Sequence, residues 1–167
     1  MSRFTSILLV SPLADGKTWA LMREFGYIED SGDQITAPVG FETDFASIPR
    51  IFWPFLPKWG KYGNAAVIHD WLYWEQKRPR AAADAVLLEG MVVLGVNALV
   101  RYLIYGAVRL FGWTAWYRNQ ADRADGYNRV ILPVPSEPTT TSQRRGQYVQ
   151  LARHLLGRTG STRSGGT

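Results

Sequence analysis

The segment Asn64–Trp74, NAAVIHDWLYW, restricts the fold more than any other part of the chain. Read as a helix it is apolar on almost every side, and a helix apolar all round has to be enclosed by the rest of its domain. Within it sit a histidine and an aspartate, His69 and Asp70. A buried polar group left without a partner costs about 1–3 kcal/mol, so other segments must bring partners to both. The helix is therefore central, and its neighbours carry polar groups to it.

Asn64 is placed to cap this helix, which should run from Ala65 to about Gln76. Pro79 stands where a second helix, Ala81–Leu94, would begin. Gly95 and Asn97 mark a break before a third, Ala98–Phe111, closed by Gly112, and Trp113 to about Asp125 reads as a fourth. Upstream, Ser6–Val10, Lys17–Ile28 and Gln34–Val39 read as strands punctuated by Gly, Asp and Pro, as in antiparallel hairpins. Strands first and helices second predict an α+β fold, a small N-terminal antiparallel sheet followed by a bundle of three to four helices. With 46% hydrophobic and 20% charged residues the chain can bury a sizeable core.

Residues 1–132 are expected to form this single domain. The composition then changes to PVPSEPTTTSQ, a linker, followed by a short amphipathic helix over Gln147–Leu156 and a low-complexity end. Five arginines against Glu137 give residues 133–167 a charge of +4 out of the chain's +5, so the basic character belongs to the tail. No aromatic-interleaved basic surface accompanies it, and specific nucleic-acid recognition is not expected. The chain has no cysteine, which excludes disulfides, thiolate metal sites and a cysteine nucleophile. The apolar run near the N-terminus is too short for an export signal. The longest uncharged helical stretch, Gly90–Val100, is half of what a membrane span needs, so an integral membrane protein is not expected.

Of the two histidines, His154 lies in the tail and His69 in the folded body. The first two helices are joined by a short polar connection and should pack antiparallel. Positions 69 and 84 lie symmetrically about that connection, each about 10–12 Å from it, which sets Asp84 level with His69. A carboxylate beside a histidine fixes its tautomer and stabilises its cation, the arrangement of a general base and its orienter. Asp70 points about 100° away from His69 around the helix. With Asp44 it could supply oxygen ligands to a hard cation, Ca²⁺ or Mg²⁺. The competing reading is structural: His69 ties two helices together, and Asp44 closes a turn in TDFASIP.

Other chemistries fail on residue types. The metal-dependent HD phosphohydrolases and the zinc peptidases need more histidines, and no phosphate-binding glycine loop is present. A Ser47–His69–Asp84 triad would lack any G-x-S-x-G surroundings for Ser47. Arg101, Tyr105 and Arg109 share one side of the third helix and read as a solvated stripe, or else as a contact for acidic lipid or a partner. The aromatic-rich stretch Ile51–Trp59 reads as a cover packed on the sheet, or else as an exposed docking patch.

The runs ITAPVGFETDFASIPRIF, AAVIHDWLYW, RAAADAVLLEGM and YGAVRLFGW resemble a phage and prophage family known as domain of unknown function 1353. The family's T-D-x-A-S-I-P falls on Thr43, Asp44, Ala46, Ser47, Ile48 and Pro49. Its H-D-x-L-Y falls on His69, Asp70, Leu72 and Tyr73, and its A-D on Ala83 and Asp84. The resemblance implies a phage origin and a bacterial-cell setting, in the host cytoplasm or the phage particle, with other phage proteins or a lipid surface as partners; it supplies no activity. A second resemblance, to phospholipase A2, rests on His-Asp and a nearby Tyr on one helix with an Asp on an antiparallel one. It implies water activation by His69, Ca²⁺ on Asp70 and orientation by Asp84. The disulfides and the glycine-rich calcium loop of that enzyme have no counterpart here; Trp59–Gly63 lies in the loop's place, and Asp44 would have to replace its ligands. The expected function is a small metal-assisted hydrolase of esters or amides in lipid or cell-wall material. Its competitors are a non-enzymatic virion or assembly component and a host-directed inhibitor.

Overall fold

The structure, a computed structural model, describes residues 1–45 and 61–131. Six short strands form two antiparallel three-stranded sheets. One is built from β1 (Arg3–Phe4), β4 (Phe25–Ile28) and β5 (Gln34–Ala37), in the order β1-β4-β5; the other from β2 (Val10–Pro12), β3 (Trp19–Leu21) and β6 (Glu42–Thr43), in the order β2-β3-β6. Four helices follow: α1 (Gly63–Glu75), α2 (Arg80–Val93), α3 (Ala98–Phe111) and α4 (Trp113–Ala124). The fold is α+β, as the order of sequence patterns predicts.

Helix α1 is the centre. Nine of its thirteen residues are buried, and α2, α4 and strands β4, β5 and β6 all pack on it. The β4–β5 hairpin shows how the pattern sets register. Ile35 and Ala37 are buried while Gln34 and Thr36 are exposed, so pairing Phe25 with Ala37 and Tyr27 with Ile35 turns one face inward. Phe25, Tyr27, Ile68, Leu72, Leu87 and Met91 form the heart of the core. Burying each such side chain contributes about 1.5–3 kcal/mol.

The N-terminal third differs from the sequence expectation in detail. Lys17–Ile28 is two strands in different sheets, because Met22, Arg23 and Glu24 are exposed and the chain turns there. Ser6–Val10 is not a strand; pairing begins at Val10, opposite Leu21. Helix α1 starts two residues earlier than expected, with Tyr62 rather than Asn64 at its cap and no capping side chain. At its other end Gln76 adopts a left-handed conformation, φ 55°, and its N–H closes on Leu72 O. Asn97 does cap α3, its side chain accepting from Leu99 N at 2.9 Å.

The chain around Gly40–Glu42 and the segment after α4 are clasped together. Phe41 pairs with Val130, Glu42 N donates to Arg129 O at 2.8 Å, and Ile131 N donates to Gly40 O at 2.9 Å. Gly40 has φ +79°, and a Cβ there would stand 1.9 Å from Ile131 O; only glycine allows this approach. The expected linker, tail helix and basic end, residues 133–167, the aromatic stretch Ile51–Trp59, and Ser47 lie outside the described residues.

Candidate active site

His69 and Tyr73 are four residues apart on α1 and so lie on one face of it. Both reach the same oxygen of Asp84 on α2: His69 Nε2 stands 3.0 Å from Oδ1, and Tyr73 Oη donates to Oδ1 at 2.5 Å. The other oxygen, Oδ2, accepts from Arg109 Nη1 at 2.8 Å and Arg80 Nη1 at 3.3 Å. Arg80 also donates to the carbonyls of Val108 and Arg109, each at 3.2 Å, in the last turn of α3, where Val108 O already accepts from Gly112 N at 2.7 Å. One carboxylate thus joins α1, α2 and α3.

Asp84 is fully buried and His69 is 2% exposed. Burial pushes the Asp84 carboxyl up, but the hydrogen bonds from His69, Tyr73 and Arg109 outweigh it and hold the group below the usual carboxylate range. The Tyr73 hydroxyl is pushed up, by burial first and by its bond to Asp84 second. Arg109 is held protonated by Asp84. An ionised carboxylate only accepts, so the proton between His69 and Asp84 sits on Nε2.

His69 and Tyr73 also form part of the wall of a cavity of about 170 Å³. Asp44, Asp70, Arg118 and Arg129 line it too. Asp70 is turned away from Asp84, as its place on the helix requires, and its Oδ2 accepts from Thr43 Oγ1 at 2.5 Å. Thr43 Oγ1 in turn accepts from Phe45 N at 3.2 Å. Asp44 stands 3.9 Å from Arg129 Nη2. A second cavity of about 190 Å³ shares Asp44, Arg118 and Arg129 with the first and has Glu42 and Tyr127 on its own wall.

Of the four residues singled out from sequence, His69 and Asp84 are in direct contact, and Asp44 and Asp70 share the cavity with His69. Asp84 does not reach the cavity; it stands behind the histidine. Among the described residues no group of three or more His, Asp or Glu is arranged to hold a metal ion. Sequence reasoning missed Arg80 and Arg109. Arg80 had a local signal, since it precedes Asp84 by one helical turn. Arg109 had none: read as part of a stripe, it is turned onto Asp84, while Arg101 is half-buried and reaches Val96 O at 3.4 Å.

The family model described as Protein of unknown function (DUF1353) matches residues 19–108, more than half of the sequence, and the chain belongs to that family. Two curated relatives come from Sinorhizobium fredii (strain NBRC 101917 / NGR234). Uncharacterized protein y4jT is 34% identical over 100 residues, covering 56% of this chain and 29% of its own length. Uncharacterized protein y4iH is 32% identical over 106 residues, covering 62% of this chain and 44% of its own. The chain therefore spans less than half of either relative. No solved structure matches.

Proposed function

We propose that this member of a family of unknown function is a small hydrolase of phage or prophage origin, cleaving an ester or amide with His69 as general base. The observation that supports the reading is the pairing of His69, on a cavity wall, with a buried ionised carboxylate 3.0 Å away. Asp84 holds Nε2–H, so Nδ1 can take a proton from water as that water attacks the scissile carbonyl or phosphoryl group. Asp84 is an orienting residue more than a charge stabiliser, because two guanidiniums already share its charge. Arg118 and Arg129 would face the oxygen that gains negative charge. A Ca²⁺ or Mg²⁺ ion on Asp44 and Asp70 would supply further polarisation, and would compete with Arg129 for Asp44.

The test is turnover on a panel of phospholipid, aryl-ester and peptidoglycan-fragment substrates, with and without added Ca²⁺ or Mg²⁺. His69→Ala should lower the rate per folded molecule by about 10²–10⁴-fold, beyond the loss of stability that deleting a buried side chain brings. Wild-type turnover in that variant would end the proposal. A second reading, a virion or assembly component with a structural His–Asp pair, draws on the way Asp84 joins three helices. It predicts no turnover on any substrate by the folded wild type.

A further inference from the structure

Helices α3 and α4 carry a face that nothing in the described residues covers. Leu99, Tyr102, Leu103 and Leu110 follow helical spacing along one side of α3 and are 48–69% exposed. Gly106 lies between them, with open space where a side chain would be. At the Gly112 corner the stripe passes to Trp113 and Tyr117, which are 53% and 62% exposed. So large an apolar surface marks a site of contact.

Charge decides what meets it. From Gly90 to Ala121 the sequence has no acidic residue, but it has Arg101, Arg109 and Arg118. Arg118 is exposed, and Asp84, which Arg109 of α3 meets, is outnumbered by Arg80 and Arg109. Residues 133–167 are also basic, with five arginines against one glutamate. The chain's own tail and a second copy would both bring like charge to this face. An anionic lipid surface brings opposite charge, takes up leucine side chains, and suits tryptophan and tyrosine at the headgroup level.

We propose that the α3–α4 face binds the surface of anionic membranes, lying in the interface rather than crossing it. None of the helices described is long and apolar enough to span a bilayer. Phe111 and Thr114, at the corner where the two helices meet, line the cavity beside His69, so docking would set the mouth of that cavity against the lipid. The surface stands whether or not His69 is catalytic.

The full-length chain should co-sediment with phosphatidylglycerol/phosphatidylcholine vesicles, much less with phosphatidylcholine alone, and less at high salt. A Leu99→Ser, Leu110→Ser, Trp113→Ser triple variant should partition at least about tenfold more weakly, with an unchanged circular dichroism spectrum. Should that variant fail to fold, Trp113→Phe alone should reduce quenching of the total tryptophan emission by brominated lipid. Failure of the wild type to bind anionic vesicles overturns the proposal. So does binding undiminished in the triple variant, which would assign it to the basic tail. A lipid-free dimer that the triple variant dissolves would give the face to a second copy instead.

Discussion

Replacing Asp84 with Asn keeps the shape of the side chain and removes its charge. In the wild type four donors converge on it: His69 and Tyr73 on one oxygen, Arg80 and Arg109 on the other. The amide must turn its NH₂ toward one of these pairs, so buried donors then face a donor, and both guanidiniums lose their counter-ion. Breaking a buried ion pair from one side costs about 3–5 kcal/mol. The side chains of Arg80 and Arg109 are 23% and 37% exposed, and Arg80 keeps two carbonyls, so water and backbone offset part of the loss. The expected cost is about 3 kcal/mol in urea unfolding at pH 7, or a fall of about 6–12 °C in Tm for a chain of this size.

The pH dependence follows from the direction of the Asp84 shift. Its carboxyl is held low in the folded state, against about 3.9 in the unfolded chain. The stabilisation is therefore fully present above that value and is lost as pH falls through the folded-state pKa. The gap between wild type and Asp84→Asn should be flat near neutrality and narrow below about pH 4. A gap under about 1 kcal/mol at pH 7 would refute the reasoning. A gap that does not narrow in acid would show that the charge of Asp84 contributes nothing.

Two further changes test the frame that holds the site. Gly40→Ala should cost at least about 2 kcal/mol, since it puts an alanine at positive φ and a Cβ against Ile131 O; thermal melting within 1 °C or so of wild type would contradict the clasp. Asn97→Ala removes the only side-chain cap among the four helices and should cost about 1 kcal/mol, with faster amide exchange at Leu99 and Val100. Unchanged exchange there would show that tertiary packing alone holds that end.

The helical half was legible because its punctuation is local. Pro79, Asn97 and Gly112 each act on the backbone next to them, and α2, α3 and α4 begin or end beside them. The contact of His69 with Asp84 followed from the symmetry of a short helical hairpin. The strands were less legible: two to four residues long, they take their limits from partners elsewhere in the chain. The start of α1 carried a capping signal at Asn64 that tertiary packing overrode, and its left-handed end at Gln76 carried no glycine to announce it. Around Asp84 the arginines were hidden for different reasons. An i,i+4 pair such as Arg80–Asp84 can be read from sequence, whereas Arg109 depends on how α3 is laid across α2. Gly112 belongs to the same arrangement, since a Cβ there would stand 2.5 Å from Tyr73 Oη, yet in sequence it is only a helix stop.

The clasp between Gly40–Glu42 and the segment after α4 also sets an order in time. Tyr127 and Glu42, which are hydrogen-bonded, are 85 residues apart in the chain, and closing so long a loop is rewarded only after the helices between them have formed. Ribosomes add about 5–20 residues per second, so during synthesis the outer edge of β6 waits several seconds for its cover. A strand edge held open that long is where a nascent chain pairs wrongly, and Glu42, a charge placed on the edge itself, is the kind of residue that discourages strangers until Tyr127 arrives.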